Sequence, residues 1–173
     1  MDNNQLLNRD NKELFKDLIE ILFILHMLAI GVLLILVPFL AISGALNSSD
    51  LDGFSIFEGI AVVILMACLF LFMRGLFYLR KVAKSILAEK YFSLPMIDNL
   101  GKSGRDFLKT GFFSFGIILV LWLGDVSDGK LVFGLDINMM SSLFLMIVGL
   151  FFIIQSNTLA YAKDIKEEND LTV

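Results

Sequence analysis

The stretch LIEILFILHMLAIGVLLILVPFLAI (residues 18–42) decides the fold class of this chain. Glu20 and His26 are its only ionisable residues, and the run is long enough to cross the ~30 Å hydrocarbon layer of a bilayer as a helix. Its apolar residues follow one another without alternation, which predicts a helix and not a strand. The stretch therefore indicates a membrane-spanning helix.

The composition of the whole chain supports the same class. The 173 residues are 57% hydrophobic and include 17 Phe, and the mean hydropathy is +0.81. Charged residues make up 18% of the chain, against about a quarter in a soluble domain. The net charge of −4 argues against direct binding of nucleic acid through bulk charge.

Four apolar runs predict an all-α integral membrane protein with four transmembrane helices in a single membrane domain. The third run is the weakest, because Lys109 must extend its ammonium group to the headgroups. The predicted segments are a tail (1–17), span one (18–42), an outer loop (43–55), span two (56–79), a basic hairpin (80–106), span three (107–124), an outer loop (125–136), span four (137–162) and a tail (163–173).

The distribution of Lys and Arg predicts the orientation. All 14 basic residues except Lys130 lie in the two tails or within residues 74–109. Basic residues mark the cytoplasmic side, so we expect both termini and the hairpin in the cytoplasm. The outer face is expected to be acidic. Its acidic residues are Asp50, Asp52, Glu58, Asp125, Asp128 and Asp136.

The polar stretch between spans two and three is predicted to be a helical hairpin. Apolar residues recur at helical spacing from Leu79 to Leu87, so the second helix is expected to continue to about Lys90. Ser93 is a candidate N-cap, and Pro95 suits the first turn of the next helix. One side of that helix is expected to carry Met96, Ile97, Leu100, Gly104 and Leu108. The tip KYFSLP (residues 90–95) is expected to stand in the cytoplasm.

The hairpin charge has two interpretations. Residues 74–109 carry eight basic and three acidic side chains, a net charge of +5. Topogenesis and attraction to anionic lipid headgroups at the cytoplasmic face explain this charge. A docking surface for a cytoplasmic partner is the alternative, slightly favoured by the aromatic pair that we expect to be exposed at the tip. The candidate contact residues are Arg80, Lys81, Lys84, Lys90, Tyr91, Phe92, Lys102 and Arg105.

Polar side chains in the predicted spans are candidates for a path through the membrane. His26 suits a proton relay, but we favour a neutral imidazole hydrogen-bonded to a neighbouring helix. Gln155, Ser156, Asn157 and Thr158 form a polar cluster that suits the lining of a solute path, but we favour hydrogen bonds between helices. Small residues that predict close helix approach are Gly31, Gly111, Ser114 and Gly116.

Residue sets for catalysis are not recognisable in the sequence. There are no paired carboxylates, no Ser-His-Asp set and no cluster of metal ligands. One Cys and one His do not make a zinc site of the usual kind. We expect a protein that is not an enzyme and that uses no metal and no cofactor.

Two segments resemble a known family. LRKVAKSILAEKYFSLPMIDNLGKSG (residues 79–104) is similar to a segment of the bacterial domain of unknown function 2975 family, and KEENDLTV (residues 166–173) resembles the ending of its members. The tip departs from the family pattern, with KYFS in place of Lys-Pro-Phe-Ser. The matching positions are Leu79, Arg80, Phe92, Ser93, Asn99, Leu100, Gly101, Glu168, Asn169, Asp170, Leu171 and Thr172.

The resemblance implies a four-helix, multi-pass protein of the bacterial cytoplasmic (inner) membrane. Genes of this family often lie beside one for a small Cro-like helix-turn-helix regulator, which implies by analogy a membrane-embedded regulator or scaffold with a DNA-binding partner. The tail would then add contacts to those of the hairpin. Its candidate residues are Asn169, Asp170, Leu171 and Thr172.

Two other functions stay open at the level of sequence. A small transporter or channel subunit, as a possible homo-oligomer, would use His26, Gln155 and Asn157, although broken helices and deep ionisable pairs are absent from the pattern. An immunity or stress protein that acts on lipids or toxic peptides has only the acidic outer face in its favour.

Overall fold

The computed structural model describes residues 3–47, 56–127 and 137–171. Four α-helices account for these ranges, apart from the turn between the second and third helices, and the described residues contain no strand. The all-α prediction is confirmed. The helices are α1 (Asn3–Asn47), α2 (Ile56–Leu87), α3 (Leu94–Ser127) and α4 (Ile137–Leu171).

Three helical stretches are long and apolar enough to cross a membrane: Asp10–Leu36, Val63–Leu87 and Asn138–Leu171. Large apolar side chains such as Ile35 and Phe144 face outward from them. An apolar surface of this extent suits contact with lipid hydrocarbon rather than with water. The described part of α3 is not among these stretches, so the third predicted span stays a prediction.

The polar tails continue the apolar helices. α1 is already helical from Asn3, within the predicted tail (1–17), and α4 continues to Leu171. The predicted ends of spans one and four therefore mark a change of polarity along a helix and not the end of the helix.

The predicted helical hairpin is present, with a tight turn between α2 and α3. α2 ends at Leu87, slightly before the predicted Lys90, because Glu89 adopts a left-handed conformation with φ of 58°. The Lys90 N–H donates to the Ser85 carbonyl and the Glu89 N–H to the Ile86 carbonyl, both at 3.0 Å. This pair of bonds is a Schellman motif, which satisfies carbonyl groups at the end of the helix.

Ser93 begins α3 through its backbone. Its carbonyl accepts hydrogen bonds from the N–H groups of Met96 and Ile97 at 3.0 and 3.1 Å. Its hydroxyl donates to the Lys90 carbonyl at 2.9 Å, so the side chain closes the turn instead of capping a helical N–H. Pro95 lies in the first turn of α3, as predicted.

The four helices pack in chain order. Close backbone contacts are most extensive between α3 and α4, fewer between α2 and α3, and fewest between α1 and α2. In the described ranges, helices that are not consecutive make no such contacts. The molecule is therefore an open row of helices with α1 and α4 at its edges.

The buried core lies mainly in the half of the molecule that contains the hairpin. Its members are Ile19, Leu76, Leu79, Val82, Ala83, Met96, Leu100 and Phe107. The apolar faces predicted for both arms of the hairpin are thereby confirmed. A row of rings crosses all four helices at the edge of this core, with centroid distances of 4.6 Å (His26–Phe72), 5.3 Å (Phe72–Phe107) and 6.0 Å (Phe107–Phe152).

Small residues let α3 and α4 touch through their backbones. A Cβ atom on Gly104 would lie 2.7 Å from the Gly149 carbonyl oxygen, and one on Gly149 would lie 2.6 Å from the Leu108 nitrogen. Further along, a Cβ on Gly111 would lie 2.8 Å from the Ser142 carbonyl oxygen. No side chain larger than hydrogen fits at these positions without moving a helix.

The predicted packing of small residues between helices is seen within the chain at two positions, and at the other two no described helix lies against the glycine. Gly111 lies against α4, and the hydroxyls of Ser114 and Ser142 are 2.9 Å apart. Gly31 and Gly116 have no atom within 4 Å of a Cβ placed on them. These two glycines lie on faces of α1 and α3 that no other described helix covers.

Candidate functional site

The hairpin tip contacts the polar parts of both edge helices. The Lys12 ammonium of α1 lies 5.4 Å from the Tyr91 ring centroid and 3.1 Å from the Glu89 carboxylate. The Lys166 ammonium of α4 lies 5.8 Å from the Phe92 ring centroid. These are cation–π contacts and an ion pair. We call these five residues, together with the exposed Lys90 between Glu89 and Tyr91, the tip surface.

The aromatic pair of the tip is less exposed than the sequence predicted. Tyr91 is half-buried and packs against the core, while Phe92 is 41% exposed. The N-terminal part of α1 accounts for the difference, because Lys12 lies over the Tyr91 ring. Only Phe92 presents a large aromatic surface at the tip.

Arg80 contacts residues of α1 within the same chain. Its Nε–H donates to the Glu20 carboxylate of α1 at 3.3 Å, and its guanidinium lies 5.6 Å from the Phe23 ring centroid. Arg80 is half-buried. It therefore joins α2 to α1 and is less suited to a partner than the exposed lysines.

The other basic residues of the hairpin lie at the surface. Lys84, Lys90 and Arg105 are exposed. Lys81 is also exposed, and its ammonium lies 4.4 Å from the Phe77 ring centroid and 5.8 Å from that of Tyr78. These side chains remain accessible for a partner or for lipid.

Lys102 of α3 faces the same tyrosine. Its ammonium lies 5.8 Å from the Tyr78 ring centroid and donates to the Asp98 carboxylate at 2.6 Å. This hydrogen bond to Asp98 raises the pKa of Lys102 above its ordinary value. The ion pair with Asp98 therefore favours the charged form of Lys102.

A buried ion pair that the sequence pattern does not predict joins α2 and α3. Arg74 donates from Nε and Nη2 to the two carboxylate oxygens of Asp106, at 2.7 and 2.6 Å. The Asp106 side chain is 4% exposed and that of Arg74 is 42% exposed. The sequence pattern identifies Arg74 only as one of the basic charges of residues 74–109, whereas its geometry in the structure is that of a bidentate clamp.

A periodic signal for this pair is present in the sequence. Ser103, Asp106 and Thr110 follow one another at helical spacing, and all three are buried. Ser103 donates to the Gly75 carbonyl of α2 at 2.9 Å, and Thr110 donates to the Asp106 carbonyl at 2.8 Å. Three polar residues on the packed face of a helix indicate polar contacts with a neighbouring helix.

The three intramembrane candidates do not come together. His26 lies on α1 at one edge, and Gln155 and Asn157 lie on α4 at the other. His26 packs against the Phe72 ring, and its buried Nε2 has no hydrogen-bond partner among the described residues, unlike the interpretation favoured above. The helical twist also separates half-buried Gln155 from exposed Asn157.

Ser156 makes the hydrogen bond between helices that was predicted for this polar cluster. Ser156 is buried, and its hydroxyl donates to the Ile97 carbonyl of α3 at 2.7 Å. A Cβ on Gly101 would lie 2.9 Å from this hydroxyl oxygen, so the absence of a side chain there makes room for the bond.

The end of α4 is exposed where it is described. Asn169 and Asp170 are at the surface, and Leu171 is 87% exposed. Thr172 lies outside the described residues, as do the outer acidic side chains. In the parts of the chain that the structure describes, no three His, Cys, Asp or Glu residues are close enough to hold a metal ion.

Helices of this length and apolarity define the chain as a helical membrane protein. Residues 61–173 match the model of the family described as "Protein of unknown function (DUF2975)". The chain belongs to this family, and the resemblance seen in the sequence is confirmed. The match covers α2 from residue 61 together with α3 and α4. No curated protein and no solved structure matches the chain.

Proposed function

We propose that this chain is a four-span, non-enzymatic membrane protein that holds a small cytoplasmic partner at its tip surface. The observation that carries the proposal is the convergence of the hairpin tip with both edge helices, through Lys12 on Tyr91 and Lys166 on Phe92. Hairpin and tail are distant in the sequence but form one continuous surface. A single small protein can contact both.

The chemistry of this surface suits a protein partner. Exposed Lys84 and Lys90 lie on the hairpin side, and exposed Glu167 and Asp170 lie on the α4 side. Opposite charges on adjacent patches fix the orientation of a partner. Phe92, which is exposed and contacts Lys166 of α4, supplies an aromatic anchor, the type of residue that dominates binding energy at interfaces.

The class of partner comes from the family context. Neighbourhood with genes for small helix-turn-helix regulators supports, by analogy, a DNA-binding protein that is kept at the membrane and released on a signal. On this proposal, the tip surface faces the cytoplasm. The membrane protein itself needs no contact with DNA.

The test is a pull-down from the native cell in mild detergent, with the bound proteins identified by mass spectrometry. Four chains are compared: full length, a truncation after Asn169, Lys90→Glu at the tip, and Lys109→Glu as a matched control away from the tip. We expect a small DNA-binding protein with the full-length chain and the control. We expect it to be lost from the truncation and from Lys90→Glu.

Two results would contradict the proposal. One is a DNA-binding protein that all four chains retain equally, because the tip surface would then be irrelevant to its binding. The other is recovery of lipid and the chain itself with no protein partner. The transporter alternative would need His26, Gln155 and Asn157 to lie along one path. It gains no support, because His26 is at one edge of the row of helices and the other two residues are at the opposite edge.

A further inference from the structure

Two lysines from different helices converge on one tyrosine at the surface of the α2–α3 pair. The ammonium groups of Lys81 and Lys102 each lie 5.8 Å from the Tyr78 ring centroid. Phe77 lies beside them, under Lys81 and 42% exposed. We call Phe77, Tyr78, Lys81 and Lys102 the Tyr78 cluster.

The cations of this cluster are available, in contrast to the neighbouring arginines. Arg74 is held by both oxygens of Asp106, and Arg80 is paired with Glu20. Lys81 has no ion-pair partner in the described part of the chain, and aromatic rings hold its ammonium in place. Cation–π contacts of this kind leave the outer side of the ammonium group open.

The carboxylate partner of Lys102 can be replaced by another anion. Asp98 and Lys102 are one helical turn apart on α3, and both side chains are exposed. Exposed pairs of this kind contribute little net free energy, because water solvates both partners. A stronger anion can therefore take the place of Asp98.

The cluster lies where the apolar and polar parts of α2 meet. Val63–Leu87 is apolar enough to cross a membrane, and within it the basic residues begin at Arg74. Tyrosine and lysine at such a boundary are typical of the headgroup layer, with the lysine stem along the apolar surface and its ammonium group toward the phosphates. Exposed Phe77 adds an apolar surface beside the two lysines at this boundary.

We propose that the Tyr78 cluster is a binding site for the phosphate of an anionic phospholipid. The phosphate accepts hydrogen bonds from the ammonium groups of Lys81 and Lys102 and from the Tyr78 hydroxyl, and it replaces Asp98 as the partner of Lys102. The Phe77 ring contacts the glycerol and upper acyl chain. This apolar contact favours a membrane lipid over free phosphate, and the site is independent of the tip surface.

The test is native mass spectrometry of the full-length protein in detergent, titrated with phosphatidylglycerol or with phosphatidylcholine of the same acyl chains. The double variant Lys81→Gln/Lys102→Gln is compared with Lys84→Gln/Lys109→Gln, which removes the same charge from other exposed positions of α2 and α3. We expect the first variant to weaken phosphatidylglycerol binding by roughly tenfold and the second by less than about twofold. Tyr78→Phe is expected to weaken it to a smaller extent.

A gain-of-binding variant separates this site from general attraction by charge. Asp98→Asn frees Lys102, so it should bind phosphatidylglycerol more tightly than the unchanged chain. Asp164→Asn on α4 removes the same charge from another exposed position and should leave the affinity unchanged.

Each of the following results would overturn the assignment: equal retention of the two lipids, equal loss in the two double variants, or equal gain in Asp98→Asn and Asp164→Asn. Inorganic phosphate is added as a competitor to distinguish the sources of the phosphate. Its displacement of phosphatidylglycerol at millimolar concentration would assign the site to a soluble phosphate and not to a lipid.

Discussion

Among the described residues, Asp106 is the most deeply buried carboxylate. Its two oxygens accept from Arg74, whose own side chain is 42% exposed. The two partners differ in their access to solvent, and this difference has an energetic consequence. Loss of the arginine leaves a buried charge without a partner, whereas loss of the carboxylate leaves a charge that water or headgroups can reach.

Arg74→Gln should therefore destabilise the protein more than Asp106→Asn. We expect a loss of about 3 kcal/mol in the free energy of unfolding for the first and about 1 kcal/mol for the second. The measurement is unfolding by sodium dodecyl sulfate in mixed micelles, followed by circular dichroism. Lys102→Gln, which breaks an exposed pair, is the control and should change little. Equal effects of the first two variants would contradict this account.

Glu89 occupies a backbone conformation that favours glycine. Its φ of 58° costs a residue with a Cβ about 1 kcal/mol, and the Schellman motif holds it there. Its carboxylate also pairs with Lys12, but the pair is exposed on the side of Glu89. Substitution by glycine therefore has two opposing effects on the free energy of unfolding: it relieves the backbone strain and it removes the ion pair.

The pair of variants Glu89→Gly and Glu89→Ala separates these two effects. Glycine should raise the free energy of unfolding by about 0.5 to 1 kcal/mol, because it adopts positive φ without strain. Alanine keeps the strain and loses the pair, so it should lower that free energy. The same unfolding titration measures both. A glycine variant that is no more stable than the alanine variant would show that φ at this position carries no strain.

Among pairs of elements, the crossing of α3 and α4 is the closest contact. Gly104 and Gly149 bring the two backbones together, and Ser156 adds a hydrogen bond from α4 to the Ile97 carbonyl. In a membrane, such packing and hydrogen bonding replace the hydrophobic drive that joins helices in water.

Gly149→Ala should separate these helices. The added methyl group meets the Leu108 nitrogen at 2.6 Å and the Gly104 carbonyl at 2.8 Å, so we expect a loss of about 2 kcal/mol in the free energy of unfolding. Gly116→Ala, with no atom within 4 Å, is the matched control and should be neutral or stabilising by up to about 1 kcal/mol. Similar losses in both would assign the effect to the membrane environment and not to the crossing.

For the whole molecule, the contacts place three chain segments at one end. Lys12 and Lys166 both contact the hairpin tip, so the polar parts of α1 and α4 lie at the same end as the turn between α2 and α3. The last residue of α1, Asn47, lies at the far end of that helix. The distribution of basic residues predicts that the tip end is cytoplasmic.

Labelling with a membrane-impermeant maleimide checks this orientation. In right-side-out vesicles, Asn47→Cys should react at once, and Lys90→Cys should react only after the membrane is permeabilised. The native Cys68 is buried, so the unchanged chain should stay unlabelled in both conditions. The reverse order of labelling would place the tip surface outside the cytoplasm and would also remove the proposed partner.

The hairpin shows how far sequence patterns reach in this protein. Apolar residues at helical spacing, from Leu79 to Leu87 and from Met96 onward, were enough to predict both arms and their buried faces. The pattern placed the end of α2 near Lys90 because it carries no information on the conformation of Glu89. It predicts that Tyr91 and Phe92 are both exposed, because the local sequence of the hairpin carries no information on the contacts that α1 and α4 make with the tip.

The sequence alone determined the membrane class, the helical content and the concentration of basic residues at one end of the helices. These follow from long apolar runs and from the positions of charges along the chain, because a helix in lipid satisfies its own backbone hydrogen bonds without help from distant residues. Only the tertiary structure decided that Arg74 meets Asp106, that α1 and α4 lie at opposite edges, and that tip and tail share one surface. Such contacts depend on the rotation and crossing of helices distant in sequence, which local periodicity does not fix.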